Sequence, residues 1–261
     1  MKNYKLSDET KTLSDGEVLH RVVATTTFTL ACGLVINAGD VGGWIEKASN
    51  LSDNAWVSGD AMVYENAQVF GNALISRDAE VYGDARVFGN AKITDNACVH
   101  RNAVVCGNAW VRDNAVVHRN AVVCGDTVVY SNAVVCGNAV VCGNAVVRGI
   151  ARVYGNAQVS GNAIISDNAA IYGDAQVYGD AQIDGDAKVM NTSDYIVFKS
   201  DRSSGRYFTW TKSNDKWAKG CFYGTGDELI KRAYADSEDS GKHYEACVKS
   251  VETLKNVEQT E

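Results

Sequence analysis

The sequence predicts a mainly β protein whose central part is a parallel β-helix, with a small β-rich segment before it and an α+β module after it. The deciding observation is a repeat of six residues. A small residue recurs at every sixth position from Ala55 to Ala187, which makes 23 units, and Val or Ile follows it two positions later throughout. A short fixed period without insertions is typical of solenoids, whose units stack on their neighbours.

Each unit of the repeat predicts one short strand and one corner. Residues two apart in a strand point to the same side, so the small residue and the Val or Ile are predicted to fill the interior. Asn or Asp precedes the small residue in every unit except at Ile150, and Gly is frequent just before it. These residue types tolerate the backbone of a tight corner at little cost. Thr127 alone replaces the interior Ala.

An internal identity indicates how many units make one coil. Residues 99–106 recur unchanged as residues 117–124, which is a shift of 18 residues or three units. The repeat therefore predicts about 7 to 8 triangular coils, in which residues 18 apart are neighbours. Asn and Asp side chains at successive corners are expected to stack as ladders.

The repeat divides the chain into three predicted parts. Residues 1–50 form a β-rich N-terminal cap segment, residues 51–190 form the β-helix, and residues 191–261 form the C-terminal module. In the first part, residues 18–24 alternate as in a strand. Residues 37–45 combine turn and apolar residues and are interpreted as a degenerate first coil.

The C-terminal module is predicted to contain three strands, at residues 195–198, 206–211 and 216–223. Two helices follow. Thr225 and Glu228 form a capping-box pattern that opens a helix to about Tyr234, and an apolar face indicates a second helix from about Ser240. An open solenoid end exposes unpaired strands, so this module is expected to act as a cap.

Composition and charge narrow the possible partners. The net charge of −7 disfavours nucleic acid, because binding to phosphates relies on Lys and Arg. The first residues lack the apolar segment of a secretion signal, and no run of 18 apolar residues predicts a membrane span. A cytoplasmic location is expected, in which the eight cysteines are free thiols. Neither a metal nor a cofactor is expected.

Outward residues 18 apart are predicted to form columns on three faces of the prism. Face 1 carries Tyr64, Tyr82, His100, His118, Cys136, Tyr154 and Tyr172; face 2 carries Phe70, Phe88, Cys106, Cys124, Cys142, Ser160 and Tyr178; face 3 carries Ser58, Ser76, Thr94, Arg112, Tyr130, Arg148 and Ser166.

Face 2 presents an apolar patch that predicts an interface with further copies of the chain. Its predicted interface residues are Phe88, Val104, Cys106, Val122, Cys124, Val140 and Cys142. An outward apolar patch of this kind usually marks a contact surface, so a homo-oligomer, either a dimer or a trimer, is expected. The alternative is that the C-terminal module folds back over the patch.

His100, His118 and Cys136 occupy successive positions on face 1 and raise the question of a zinc site. Side chains stacked in register point in parallel, and the column holds no suitable fourth ligand. Stacked surface side chains are therefore the favoured interpretation.

The C-terminal module offers a second candidate surface. Its predicted ligand-binding residues are Arg202, Arg206, Trp210, Lys212, Gly224, Thr225 and Gly226. Backbone N–H groups at the start of a helix attract an anion, which Arg206 is placed in sequence to assist. The Gly-Thr-Gly sequence also suits a plain helix cap, so both interpretations stay open.

An aliphatic residue followed four positions later by a small one, as in Val63 and Ala67, resembles the pattern of the hexapeptide-repeat superfamily. The resemblance implies a left-handed parallel β-helix. It also implies an alternative function as an acyltransferase-like enzyme, with His100 or His118 at a subunit interface as the general base. Enzymes of that superfamily usually carry loops that build a substrate cleft, whereas this repeat has no insertion.

Two further segments are similar to a narrower group. Residues 39–46, Gly-Asp-Val-Gly-Gly-Trp-Ile-Glu, and residues 220–225 resemble phage- and prophage-encoded hexapeptide-repeat proteins, often labelled polymer-forming or cytoskeletal-like. This resemblance implies a mobile-element origin and no established reaction. The sequence therefore predicts a non-enzymatic scaffold or binding protein that self-associates and holds a host protein or a small anionic ligand in the host cytoplasm.

Overall fold

The computed structural model describes residues 2–200 and 207–258. The repeat folds into a parallel β-solenoid of triangular cross-section, as the sequence predicts. Residues 18 apart are paired, so that Val99 lies beside Val117 and Val117 lies beside Val135. The left-handed sense of the coil remains a prediction from the superfamily resemblance.

Each face of the solenoid is one parallel sheet. Face 1 consists of the strands Met62–Val63, Glu80–Val81, Cys98–Arg101, Val116–Arg119, Val134–Val135, Arg152–Val153, Ala170–Ile171 and Lys188–Val189. Face 2 consists of Gln68–Val69, Arg86–Val87, Val104–Val105, Val122–Val123, Val140–Val141, Gln158–Val159 and Gln176–Val177. Face 3 consists of Trp56–Val57, Leu74–Ile75, Lys92–Ile93, Trp110–Val111, Val128–Val129, Val146–Val147, Ile164–Ile165 and Gln182–Ile183.

The interior is a narrow column of Ala, Val and Ile side chains. The Ala and Val of a typical unit, such as Ala103 and Val105, are fully buried. Thr127 takes the Ala position and is also fully buried, and its Oγ1 donates a hydrogen bond of 2.6 Å to the carbonyl of Cys124. The exceptional hydroxyl is therefore satisfied inside an apolar core.

Corners carry the ladders that the sequence predicts. The Nδ2 of Asn90 donates to Oδ1 of Asn108, and the Nδ2 of Asn108 donates to Oδ1 of Asp126, both at 2.8 Å. A carboxylate accepts without donating, so Asp126 ends this run of donors. Gly107 turns the corner with φ of 73°, a conformation that glycine adopts without a Cβ penalty.

The N-terminal segment extends face 1. Strands Tyr4–Thr12 and Val18–Ala24 form an antiparallel hairpin, and Val41–Ile45 pairs with the second of them. Val41–Ile45 then lies parallel to Met62–Val63, which confirms the interpretation of this stretch as a first coil. The short strands Phe28–Thr29 and Val35–Ile36 form a second hairpin, and a 3-10 turn spans Ala48–Asn50.

The C-terminal module is a four-stranded antiparallel sheet followed by two helices. After a 3-10 turn at Thr192–Asp194, its elements are the strands Tyr195–Lys199, Tyr207–Thr211, Lys216–Lys219 and Phe222–Gly224, then α1 (Gly226–Asp236) and α2 (Glu238–Glu258). The prediction of a single strand at residues 216–223 was wrong. Gly220, with φ of 56°, turns the chain there and leaves Cys221 exposed in a tight hairpin.

The described contacts of the module with the solenoid lie at its last coil. The backbone N–H of Gln182 donates to Oγ1 of Thr209 at 2.8 Å, and the N–H of Lys188 donates to Oγ of Ser213 at 2.7 Å. The Tyr195 ring is buried against the end of the core, and its hydroxyl donates to the Gln176 carbonyl at 3.1 Å. These bonds satisfy strand groups that the open end would expose. No helix in the described parts of the chain has the length and apolar character to cross a bilayer.

Candidate functional site

Six of the predicted interface residues form a flat grid on face 2. The strands that begin at Val104, Val122 and Val140 are direct neighbours, and each outward Val lies two residues before an outward Cys. All six side chains are partly exposed in the single chain. The grid, hereafter the Val/Cys patch, therefore occupies three successive coils and presents no charge.

The thiols of the Val/Cys patch behave as small apolar groups. Cys106, Cys124 and Cys142 are free. Burial raises the pKa of the Cys124 thiol to about 11, and the neighbouring thiols of Cys106 and Cys142 act in the same direction. At neutral pH this thiol is protonated, so the patch stays uncharged and weakly nucleophilic.

Aromatic residues extend the patch at both ends of face 2. Phe70 and Phe88 are stacked with ring centroids 4.7 Å apart, and the Arg86 guanidinium lies 5.6 Å from both centroids. At the other end, 55% of Tyr178 is exposed. Phe88 thus continues the Val/Cys patch at the position that the sequence predicts.

Face 1 carries a column of stacked rings. Successive ring centroids are 4.9 Å apart between Tyr64 and Tyr82, 4.8 Å between Tyr82 and His100, and 5.1 Å between His100 and His118. Rings resume with Tyr154 and Tyr172, whose centroids are 5.2 Å apart.

Cys136 takes the position between His118 and Tyr154 and supplies no ring. Its small side chain leaves a gap in the column, hereafter the ring gap. A surface cavity of about 610 Å³ opens at this position and is lined by His118, Cys136 and Tyr154 among others. The columns could be read from the sequence, whereas the cavity depends on how far the neighbouring side chains extend.

His100 and His118, the candidate general bases that the superfamily resemblance implies, lie in this column. Their rings are nearly parallel, with planes 3° apart, so their nitrogens do not converge. Burial lowers the pKa of both, and nearby positive charges add to the effect, from Arg119 and Arg101 in the case of His118. In residues 2–200 and 207–258, no group of three or more His, Cys, Asp or Glu side chains is arranged to hold a metal ion.

In the part of the chain that the structure describes, no carboxylate is hydrogen-bonded to His118 to orient it as a general base. Among the described residues its Nδ1 is buried without a hydrogen-bond partner. In catalytic dyads and triads the base is usually held by a third group. The geometry therefore gives the acyltransferase alternative no specific support.

The described ligand-binding candidates of the C-terminal module lie on or beside the strands Tyr207–Thr211 and Phe222–Gly224 and at the start of α1. Trp210 is buried, and its Nε1 donates to Oδ1 of Asp215 at 2.8 Å, with the Lys255 ammonium above the ring. Lys212 is exposed, and its backbone N–H donates to the Asp194 carbonyl. Arg202 and Arg206 lie outside the described residues.

The helix start at Thr225 already holds a carboxylate of its own chain. Oε2 of Glu228 accepts from the Thr225 N–H at 2.8 Å, and Oγ1 of Thr225 accepts from the Glu228 N–H at 3.2 Å. A Cβ on Gly226 would lie 2.7 Å from Val248, and one on Gly224 would lie 2.5 Å from Glu228. These glycines thus serve close packing and capping, and their role toward a ligand stays a prediction.

A feature that the sequence did not reveal lies in the same module. A cavity of about 330 Å³ between the sheet and α1 is lined by Lys219, Arg232 and Tyr244. The Tyr244 side chain is buried, and its hydroxyl has no hydrogen-bond partner among the described residues. Lys219 lies over its ring at 4.5 Å. The sequence gave no signal for this cavity because it forms between elements whose packing is not periodic.

The comparison with protein families found a match within the repeat. The chain matches the family model of the YdcK beta solenoid repeat over residues 151–167 and 157–173. These segments are a small part of the chain, and they support a β-solenoid repeat protein. No curated protein is similar enough to the chain to count as a match.

Proposed function

We propose that the protein is a non-enzymatic scaffold that pairs with a second copy of itself through face 2. The observation that carries the proposal is the Val/Cys patch. In the same coils face 1 carries Arg119 and Arg152, and face 3 carries Arg112 and Arg148. Face 2 instead presents two adjacent uncharged columns of small side chains, which suits close contact with a like surface.

The position of the patch fits a two-fold contact. Val122–Val123 is the central strand of the seven in face 2 within the described chain. A two-fold axis near Val122 brings Val104 of each copy to Val140 of the other, and large Phe88 to small Ser160. The small side chains of the patch thus face one another across the axis, as a close isologous contact requires.

The size of face 2 is sufficient for a specific pair. Strands ~4.8 Å apart and units of six residues at ~3.3 Å give a face of roughly 500 to 600 Å² per copy. Two such faces bury roughly 1,000 to 1,200 Å², which is the lower end of the range for specific interfaces. We therefore expect a dimer that dissociates readily after a single disruptive substitution.

We also propose that the chain belongs to the hexapeptide-repeat superfamily and has a left-handed coil. We further propose that it has a phage or prophage origin and acts in the host cytoplasm. The uninterrupted six-residue period supports membership of the superfamily, and the resemblance of residues 39–46 to phage- and prophage-encoded proteins supports the origin. In the host, a rod without cleft-forming loops is suited to hold partners on its outer faces.

The mass of the protein in solution tests the pairing. We expect wild type to have about twice the 28.0 kDa of one chain by light scattering. Val122→Lys places a charge at the centre of the patch and is expected to yield single chains, because a buried unpaired charge costs several kcal/mol.

Val128→Lys is the matched control. Val128 occupies the same position of the next unit but lies on face 3, and it is partly exposed like Val122. This variant should keep the mass of wild type. A wild-type mass of one chain, or an unchanged mass for Val122→Lys, would refute the proposed pairing.

A further inference from the structure

We infer that face 1 binds a small planar aromatic anion, with its ring stacked in the ring gap between His118 and Tyr154 and its negative group held by Arg119 and Arg152. The site lies on a different face from the Val/Cys patch. Its occupancy does not depend on the proposed pairing of face 2.

The ring gap has the dimensions of one missing ring. His118 and Tyr154 are two coils apart, which corresponds to roughly 10 Å at the spacing of parallel strands. A planar ring inserted midway would stand about 5 Å from each, within the 4.8 to 5.2 Å that separates the column's own rings. The cavity of about 610 Å³ at this position accommodates a bicyclic ring with a carboxylate or phosphate.

The charges around the ring gap favour an anion. Arg119 follows His118 at the corner, and Arg152 lies on the strand next to Val134. Arg119 and Arg152 both line the cavity beside Cys136. Their charges oppose the rise in the pKa of the Cys136 thiol that burial causes. The residues that line the cavity include no Asp or Glu, although the chain as a whole carries a net charge of −7.

The backbone conformation at the adjacent corner supports an anion site independently of the cavity. Arg101 and Arg119 have φ of 61° and 63°, whereas Gly137 and Gly155 occupy the equivalent corners of the next coils. Left-handed backbone is unfavourable for a residue with a Cβ, and such residues cluster at functional positions.

Arg101 and Arg119 are also paired with each other in the sheet register, so two like charges are neighbours. Neither has an ion pair among the described residues. At another corner Arg77, with φ of 63°, has Asp95 as its neighbour and forms an ion pair with it. Unlike Arg77, Arg101 and Arg119 have no acidic residue in register beside them in the described chain, so their charges are suited to an anionic ligand.

Binding of 2-naphthoate, a planar bicyclic carboxylate, tests the site by isothermal titration calorimetry. Cyclohexanecarboxylate carries the same charge without an aromatic ring, and 2-naphthalenemethanol carries the ring without the charge. We expect 2-naphthoate to bind at least about tenfold more tightly than either, since stacking and charge-assisted hydrogen bonds both contribute. No binding at millimolar concentration, or equal affinity for cyclohexanecarboxylate, would overturn the inference.

Variants separate the ring gap from the charges. Cys136→Tyr completes the column and should abolish binding. Arg152→Gln should weaken binding about tenfold through loss of a charge-assisted contact. Arg86→Gln, a substitution of an exposed arginine on face 2, should leave it unchanged.

The Cys136→Tyr protein is also expected to melt at a higher temperature, because a stacked aromatic pair stabilises the folded state. If this variant does not fold, the test rests on Arg152→Gln, whose side chain is exposed. 2-Naphthoate binding by a folded Cys136→Tyr protein, or wild-type affinity of Arg152→Gln, would overturn the inference.

Discussion

Replacing Arg119 with glycine is expected to stabilise the protein, although glycine usually destabilises a strand. Arg119 ends the strand Val116–Arg119 with φ of 63°, a conformation that a side chain disfavours. Gly137 and Gly155 adopt φ of 76° and 72° at the equivalent corners, so the backbone there accepts glycine without a change of path.

The size of the effect follows from three contributions. Relief of the left-handed backbone stabilises the folded state by about 1–2 kcal/mol. Removing the like-charge neighbour of Arg101 adds about 0.3 kcal/mol, at the lower end for cross-strand pairs. The extra freedom of glycine in the unfolded chain costs about 0.5–1 kcal/mol. The net expectation is about 1 kcal/mol of stabilisation, which raises the melting temperature by about 2–4 °C in a chain of this size.

Thermal unfolding followed by circular dichroism, without added ligand, measures this shift. Arg152→Gly is the matched control, since Arg152 is an exposed arginine in the strand Arg152–Val153 with ordinary extended backbone. Its melting temperature should fall by a similar amount, because glycine there loses freedom without relief of strain. If Arg119→Gly lowers the melting temperature as much as the control does, the reasoning from backbone strain is refuted.

Two further outcomes are expected in the core and on face 2. Thr127→Val keeps the side-chain volume but removes the hydroxyl that is bonded to the Cys124 carbonyl. It should lower the melting temperature by an amount that corresponds to about 1 kcal/mol, whereas Thr29→Val at an exposed position should not. A higher melting temperature for Thr127→Val would contradict this prediction. Burial raises the pKa of the Cys124 thiol from 9.0 to about 11, so the stability it contributes is complete below pH 9 and is lost as the pH rises through 11. The melting temperature should fall more steeply between pH 9 and 11 in wild type than in Cys124→Val, and equal slopes would show that this thiol is not responsible.

The solenoid could be predicted because its information is local. Each unit repeats the alternation of an inward Ala and an inward Val or Ile, and a slip of one residue would turn every such pair outward. The same arithmetic located the outward columns, so that the stacking of His100 on His118 and the grid around Val122 followed from a shift of 18 residues.

Outside the repeat the sequence was less informative. The strand Tyr4–Thr12 is mostly polar and pairs through a hairpin with Val18–Ala24, so no apolar alternation marks it. The turn at Gly220 divides a stretch that reads as one strand, because Cys221 and Phe222 continue the apolar pattern. In both cases tertiary pairing decides the element boundaries.

The ring gap could not be predicted from the sequence for a different reason. Both of its signals were present in the sequence: Cys136 interrupts an otherwise aromatic column, and Arg101 and Arg119 occupy a corner position where glycine is common. Each is a departure from a pattern, and a departure gains meaning only when its neighbours in space are known. The structure adds a cavity whose lining contains no acidic residue, and the positive φ values of the two arginines.

The two proposed surfaces can be separated by experiment because the prism keeps its faces independent. Val122 and Cys136 lie two units apart on faces 2 and 1, and the inward residues between them are Val and Ala apart from Thr127, whose hydroxyl bonds to a backbone carbonyl. A substitution on one face therefore has no packed polar network through which to alter the other. Val122→Lys should change the mass without changing 2-naphthoate affinity, and Cys136→Tyr should do the reverse. Loss of both properties in either variant would indicate that the ligand site is completed by the second copy.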